Sequence, residues 1–69
     1  MSNPTYRLTE VVGTSTGSID AAIANGIEKA SETLRNLHWF EVTEVRGAIA
    51  DGAVSQTQVT MKIGFQVDE

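Results

Sequence analysis

Toward the end of the chain, apolar and polar positions alternate without a break. Val59, Met61, Ile63, Phe65 and Val67 point one way, while Gln56, Gln58, Thr60, Lys62 and Gln66 point the other. A period of two marks a half-buried strand, and the pattern predicts one over Ala53–Val67. A second strand is predicted over Trp39–Ala50, because Asp51-Gly52 between the two is a strong two-residue hairpin signal. Upstream the period changes. Ile19, Ile23, Ile27, Ala30, Leu34 and Leu37 recur at spacings of three and four, and Ala22 and Gly26 fall in the same stripe. Asn25, Glu28, Lys29, Glu32, Arg35 and Asn36 lie largely outside it, so an amphipathic helix with one buried face is predicted over Ile19–Leu37. Ser18 is placed to cap it and Asp20 to complement its dipole. Gly26 costs about 1 kcal/mol relative to Ala in mid-helix, which a close approach to the sheet or another helix would explain. Thr5–Val12 reads as a first strand with imperfect alternation, ended by the turn-rich stretch Gly13–Ser18. The order β-α-β-β makes an α+β fold: a three-stranded antiparallel sheet with one helix, in a single domain over residues 1–69.

The hairpin also predicts a register. Counting outward from Ala50 opposite Ala53 sets Phe40 against Ile63 and Val42 against Met61 on the side the helix covers. On the other side Trp39 faces Gly64, Glu41 faces Lys62, Thr43 faces Thr60, Val45 faces Gln58 and Gly47 faces Gln56. Trp39, the sole tryptophan, thus stands on a face that its own chain does not cover. A large aromatic in that position points to a partner subunit or a flat ligand. Six residues of β-strand, ~20 Å, separate Gly64 from Gln58. One ring system touching both Trp39 and Gln58 therefore draws them from different subunits, unless the sheet is sharply bent.

Size supports assembly. A chain of 69 residues buries only ~60% of its unfolded surface, and with no cysteine it has neither a disulfide nor a thiolate metal site as reinforcement. No apolar run approaches the ~20 residues of a membrane span, and MSNPTYRLTE lacks a signal-peptide core, so the default expectation is a soluble cytoplasmic protein that engages no membrane. The net charge of −4, with Arg7, Lys29, Arg35, Arg46 and Lys62 scattered, argues against nucleic acid as a partner.

No conventional catalytic constellation is present. His38 is the only histidine and the serines have none near them in sequence. Gly13–Ser18 lacks the Lys-Ser/Thr ending of a phosphate loop, and no metal-binding loop motif occurs. Arg46 has two readings, an ion pair with Glu44 or Glu10 and an anion contact. From the residues alone the chain is an oligomeric α+β protein with an aromatic-lined inter-subunit surface, and not an enzyme.

The whole chain resembles the dodecin family of small flavin-binding proteins. The likeness runs through Tyr6-Arg7, Val12-Gly13-Thr14-Ser15, Thr33-Leu34-Arg35-Asn36-Leu37, Trp39-Phe40-Glu41-Val42, Val45-Arg46-Gly47, Asp51-Gly52 and Gln58-Val59-Thr60-Met61-Lys62-Ile63-Gly64-Phe65. The resemblance implies a hollow homododecamer with helices outside and sheets facing inward. It implies storage or buffering of flavin as stacked pairs, with quenching of flavin photochemistry. Trp39 matches the stacking tryptophan and Gln58 the glutamine that bonds the polar edge of the ring; Val45, Arg46 and Gln66 complete the implied cofactor-binding set. Three positions depart from the bacterial pattern: Gln66 stands for an arginine, Thr57 for an aromatic, and His38 for an acid. Loss of a cation at 66 weakens the grip on a flavin phosphate, since charge-assisted contacts are about twice as strong as neutral ones. Flavin mononucleotide (FMN) is the expected ligand, with riboflavin a close second and FAD a further candidate; coenzyme A is associated with some members. The competing reading is a structural or partner-binding oligomeric scaffold that has lost useful flavin affinity.

Overall fold

The computed structural model describes residues 3–67. Strand β1 spans Tyr6–Ser15, helix α1 Ile19–Ser31, β2 Leu37–Ala50 and β3 Ala53–Gln66, and the antiparallel sheet has the order β1-β3-β2. The last strand in sequence is thus the central one, and its clean alternation follows from one face lying under the helix and the other left uncovered. The type of every predicted element is found, while β1 ends three residues later and α1 six residues earlier than expected and three other boundaries differ by one or two residues.

The first strand does not stop at Val12. Gly13, Thr14 and Ser15 pair with Val59, Gln58 and Thr57, and the turn is confined to Thr16, Gly17 and Ser18, where Gly17 N–H donates to Ser15 Oγ at 2.9 Å. Gly13 belongs in the strand because the helix crosses directly above it. A Cβ there would run into the Ala22 carbonyl and sit 3.1 Å from the Cα of Gly26. The two glycines make one close helix–sheet contact, the approach that the cost of Gly26 required.

The helix is shorter than predicted. Ser18 caps it as expected, its Oγ accepting from Ala21 N–H at 3.1 Å, but it ends at Ser31 rather than Leu37. Thr33 N–H and Leu34 N–H both donate to the Ala30 carbonyl, and Asn36 (φ 62°) then turns the chain into β2. Leu34 and Leu37 continue the apolar stripe because they pack on the core from outside the helix. Periodicity reports burial, and here burial outlasts the helix.

Ala22, Ala30, Val59, Met61 and Ile63 form the core. The buried helix face is made of small residues, Ala22, Gly26 and Ala30, so α1 lies low over β1 and β3 and leaves β2 outside its shadow. Phe40 and Val42 oppose Ile63 and Met61 as predicted, yet they remain 46% and 39% exposed. The expectation that the helix covers them is corrected by the strand order. With long strands and a short helix, the molecule measures 56 × 20 × 14 Å.

The hairpin closes on Asp51 and Gly52, both at positive φ (53° and 75°), as a type I′ turn demands. From Trp39 to Val42 and again at Ile49 and Ala50 the pairing keeps close to the simple outward count. Between these stretches the register is offset by one. Thr43 is an extra residue on β2 and Ser55 an extra one on β3, two bulges whose effects cancel. Each bulge is tied across the ladder by its own hydroxyl: Thr43 Oγ1 donates to the Thr60 carbonyl at 3.3 Å, and Ser55 Oγ to the Ala48 carbonyl at 3.2 Å. Inside the offset Arg46, not Val45, faces Gln58, and Glu44 rather than Thr43 faces Thr60.

Candidate functional site

The sheet face without the helix carries Tyr6, Leu8, Glu10 and Val12 from β1, Gln58, Thr60, Lys62, Gly64 and Gln66 from β3, and Trp39, Glu41, Glu44 and Arg46 from β2, as the pairings require. Its functional candidates fall into two groups. At one end Trp39 stands over Gly64, which is buried beneath it. Any Cβ on Gly64 would fall within the indole. Tyr6 packs steeply inclined against the same ring, centroids 4.8 Å apart, and its ring centroid lies 5.3 Å from that of His38. Gln66 is the register partner of Tyr6, and its N–H donates to the Asn36 carbonyl at 3.0 Å.

At the other end polar side chains form a hydrogen-bonded row. Arg46 Nη1 meets Glu44 Oε1 at 3.1 Å, and Arg46 Nε donates to Gln58 Oε1 at 2.9 Å. Gln58 Nε2 in turn donates to Gln56 Oε1 at 2.9 Å. Of the two carboxylates considered for Arg46, Glu44 is the partner. Because a guanidinium only donates, the oxygen of the Gln58 amide must face it. One amide hydrogen and one lone pair of Gln58 are left for another group. Between the two ends, Lys62 on the central strand has Glu10 and Glu41 as its register partners.

Gln58 and Gly64 are six positions apart on β3, again ~20 Å. Within one chain the structure does not bring Trp39 together with Gln58. A hollow of about 150 Å³ lined by Ile27, Leu37, His38, Trp39, Phe40 and Ile63 opens toward the helix side, not on the uncovered face. On the uncovered face Trp39 is 43% exposed, so a flat ligand stacked on it needs a second surface from elsewhere. Val45 takes another place than predicted. It opposes Val59 on the helix-bearing side and is 50% exposed there, because the Thr43 bulge turns this part of β2 over. Among the described residues no cluster of three metal-binding side chains occurs, and no helix is long and apolar enough to cross a membrane.

A family model described as dodecin matches residues 5–68. The chain belongs to the dodecin family. A dodecin from Thermus thermophilus is 44% identical over 64 residues, covering 93% of each chain. Among solved structures, the dodecin from Streptomyces davaonensis superimposes with a TM-score of 0.95 at 60% identity, over 99% of this chain and 100% of the other. The dodecin from Streptomyces coelicolor gives 0.95 at 58% identity, over 100% and 99%. The dodecin fold, three antiparallel strands with one helix in the order β-α-β-β, is therefore this chain's fold. Sequence reasoning found Trp39, Gly64 and Gln58 on this dodecin surface, set Val45 there in place of Arg46, which only the resemblance supplied, and missed Tyr6. The signal for Tyr6 was its place near the start of β1, and reading it needed the strand order β1-β3-β2.

Proposed function

We propose that this dodecin is a flavin-binding storage and buffering protein, taking FMN or riboflavin as stacked pairs between subunits of a cytoplasmic homododecamer. One observation carries the reading: an exposed indole and a polarised glutamine amide share the uncovered face, too far apart for one chain to use on one ring. Two apolar surfaces of the lone chain support assembly. Phe40, Val42 and Val45 lie open on the helix side, and Leu8 and Val12 on the other, all between 39% and 57% exposed. Exposed apolar area on this scale marks protein interfaces.

The residues fit a flavin. Trp39 is 43% exposed and offers a flat apolar surface for stacking. The remaining amide hydrogen and lone pair of Gln58 match the alternating donors and acceptors of a pyrimidine edge. Arg46 holds the amide in that polarity, and Glu44 holds Arg46. A flavin held there would supply the chromophore and redox ring, and Trp39 would set an electron-rich indole against it, able to quench its fluorescence. That is binding with quenching rather than turnover. Gln66 stands near Trp39 as a neutral side chain, so an FMN phosphate gains no charge-assisted contact from it. Riboflavin is then held nearly as well as FMN.

The test is a titration of refolded apoprotein with riboflavin and with FMN, following flavin fluorescence. Saturable quenching by both, with affinities within about tenfold of each other (~1.4 kcal/mol), is the expected result. No quenching by either flavin, with the particle intact by light scattering, would establish the scaffold reading instead.

A further inference from the structure

Tyr6 and Trp39 sit on strands that are not neighbours. The central strand runs between β1 and β2, yet the two rings meet with centroids 4.8 Å apart and planes inclined by 63°. They meet because the position between them is Gly64. Its missing side chain lets the indole lie down over β3, where Tyr6, opposite Gln66 and next to Leu8 opposite Gly64 on the face pattern, packs against it. The Tyr6 ring also lies against the His38 ring, centroids 5.3 Å apart.

We propose that Tyr6 is the positioning residue for Trp39, its ring packed at a steep angle against the indole so that the indole offers one fixed plane for stacking. The physical need is plain. Trp39 is 43% exposed, and a glycine floor gives no side chain to stop the indole from swinging about its two side-chain torsions. An edge-to-face partner supplies that stop, and edge-to-face is a favoured geometry for aromatic pairs. Tyr6 acts through Trp39 and not by contact with the ligand. The ligand half of the inference rests on the flavin reading; the holding of the indole is a property of the ligand-free protein.

Tyr6→Leu and Tyr6→Phe test it. The near-ultraviolet circular dichroism above about 290 nm reports the single tryptophan in the absence of flavin. Tyr6→Leu is expected to flatten that band and to weaken riboflavin binding by roughly 2- to 12-fold, the range of one aromatic pair, with the particle size unchanged by light scattering. Tyr6→Phe, which keeps the ring, is expected to match the parent in both. An unchanged band and affinity in Tyr6→Leu overturn the proposal, whatever happens to thermal stability. Loss of both in Tyr6→Phe overturns it as well, by assigning the role to the hydroxyl. If Tyr6→Leu disturbs assembly, Tyr6→Thr, with a β-branched strand former, is measured in its place. A parent protein that binds no flavin refutes only the flavin reading, and the tryptophan band still decides whether Tyr6 holds the indole.

Discussion

Gly64→Ala separates the site from the fold more cleanly than removing the tryptophan. The added methyl lands 2.7 Å from the Cδ2 of Trp39 and closer still to Cε2 and Cζ2, so methyl and indole cannot share the space. The backbone of β3 is held by ladders on both sides, which leaves the half-exposed indole as the part that moves. Displacing it costs about 0.5–1.5 kcal/mol in rotamer strain and a similar amount in lost edge packing on Tyr6. The expected destabilisation is therefore ~1–3 kcal/mol. Flavin loses a stacking surface worth ~1–3 kcal/mol, a rise in Kd of about 5- to 150-fold. The assay is riboflavin titration by fluorescence quenching beside thermal unfolding followed by circular dichroism. Ile63→Val is the control. It lies one residue away on the buried side and costs about 0.5–1.5 kcal/mol through its cavity alone, so stability falls while flavin affinity holds. A Gly64→Ala protein that binds riboflavin within twofold of the parent would refute the reasoning, because it would show that the seat of the indole does not govern binding.

Trp39→Ala is expected to weaken riboflavin by at least the ~1–3 kcal/mol of one stacking contact while the assembly elutes unchanged on size exclusion; dissociation of the particle would instead make Trp39 interface packing. Gly13→Ala meets the Ala22 backbone, which no rotamer change can move aside, and is expected to cost ~1–3 kcal/mol or more in overpacking, read as a lower denaturation midpoint with an unchanged slope. Ser18→Ala removes the acceptor for Ala21 N–H and is expected to cost about 0.5–2 kcal/mol by the same measurement, with flavin affinity untouched.

Much of this architecture is legible in the alternation of β3, whose odd positions include the buried Val59, Met61 and Ile63. Asp51-Gly52 identifies the turn, and the pairs near the Trp39 end follow by counting. What the pattern conceals has physical causes. Leu34 and Leu37 extend the helical period while lying outside the helix, because the core accepts them from a loop. Gly13 looks like a turn residue and is instead the strand's point of contact with Gly26. The Thr43 and Ser55 bulges carry no local signature, since either residue suits a regular strand, and only the tertiary ladder shows their hydroxyls tying it across. Val45 and Arg46 exchange places for that reason alone. The nearness of Tyr6 to Trp39 depends on β3 threading between the other two strands, which is a matter of topology rather than of any residue.

The bulge at Thr43 settles a question of parity. Trp39 and Arg46 are seven residues apart, an odd interval, and on an uninterrupted strand an odd interval sends two side chains to opposite surfaces. The inserted residue makes the interval even in ladder terms, and the surplus is returned at Ser55 before the turn. The bulge, and not the residue count alone, therefore decides which surface Arg46 serves. Deleting Thr43 would leave an even interval and keep Arg46 on the face of Trp39 with the turn at Asp51-Gly52 in place, whereas straightening the bulge with Thr43 drawn into the ladder would send Arg46 to the helix side with every residue of the site intact.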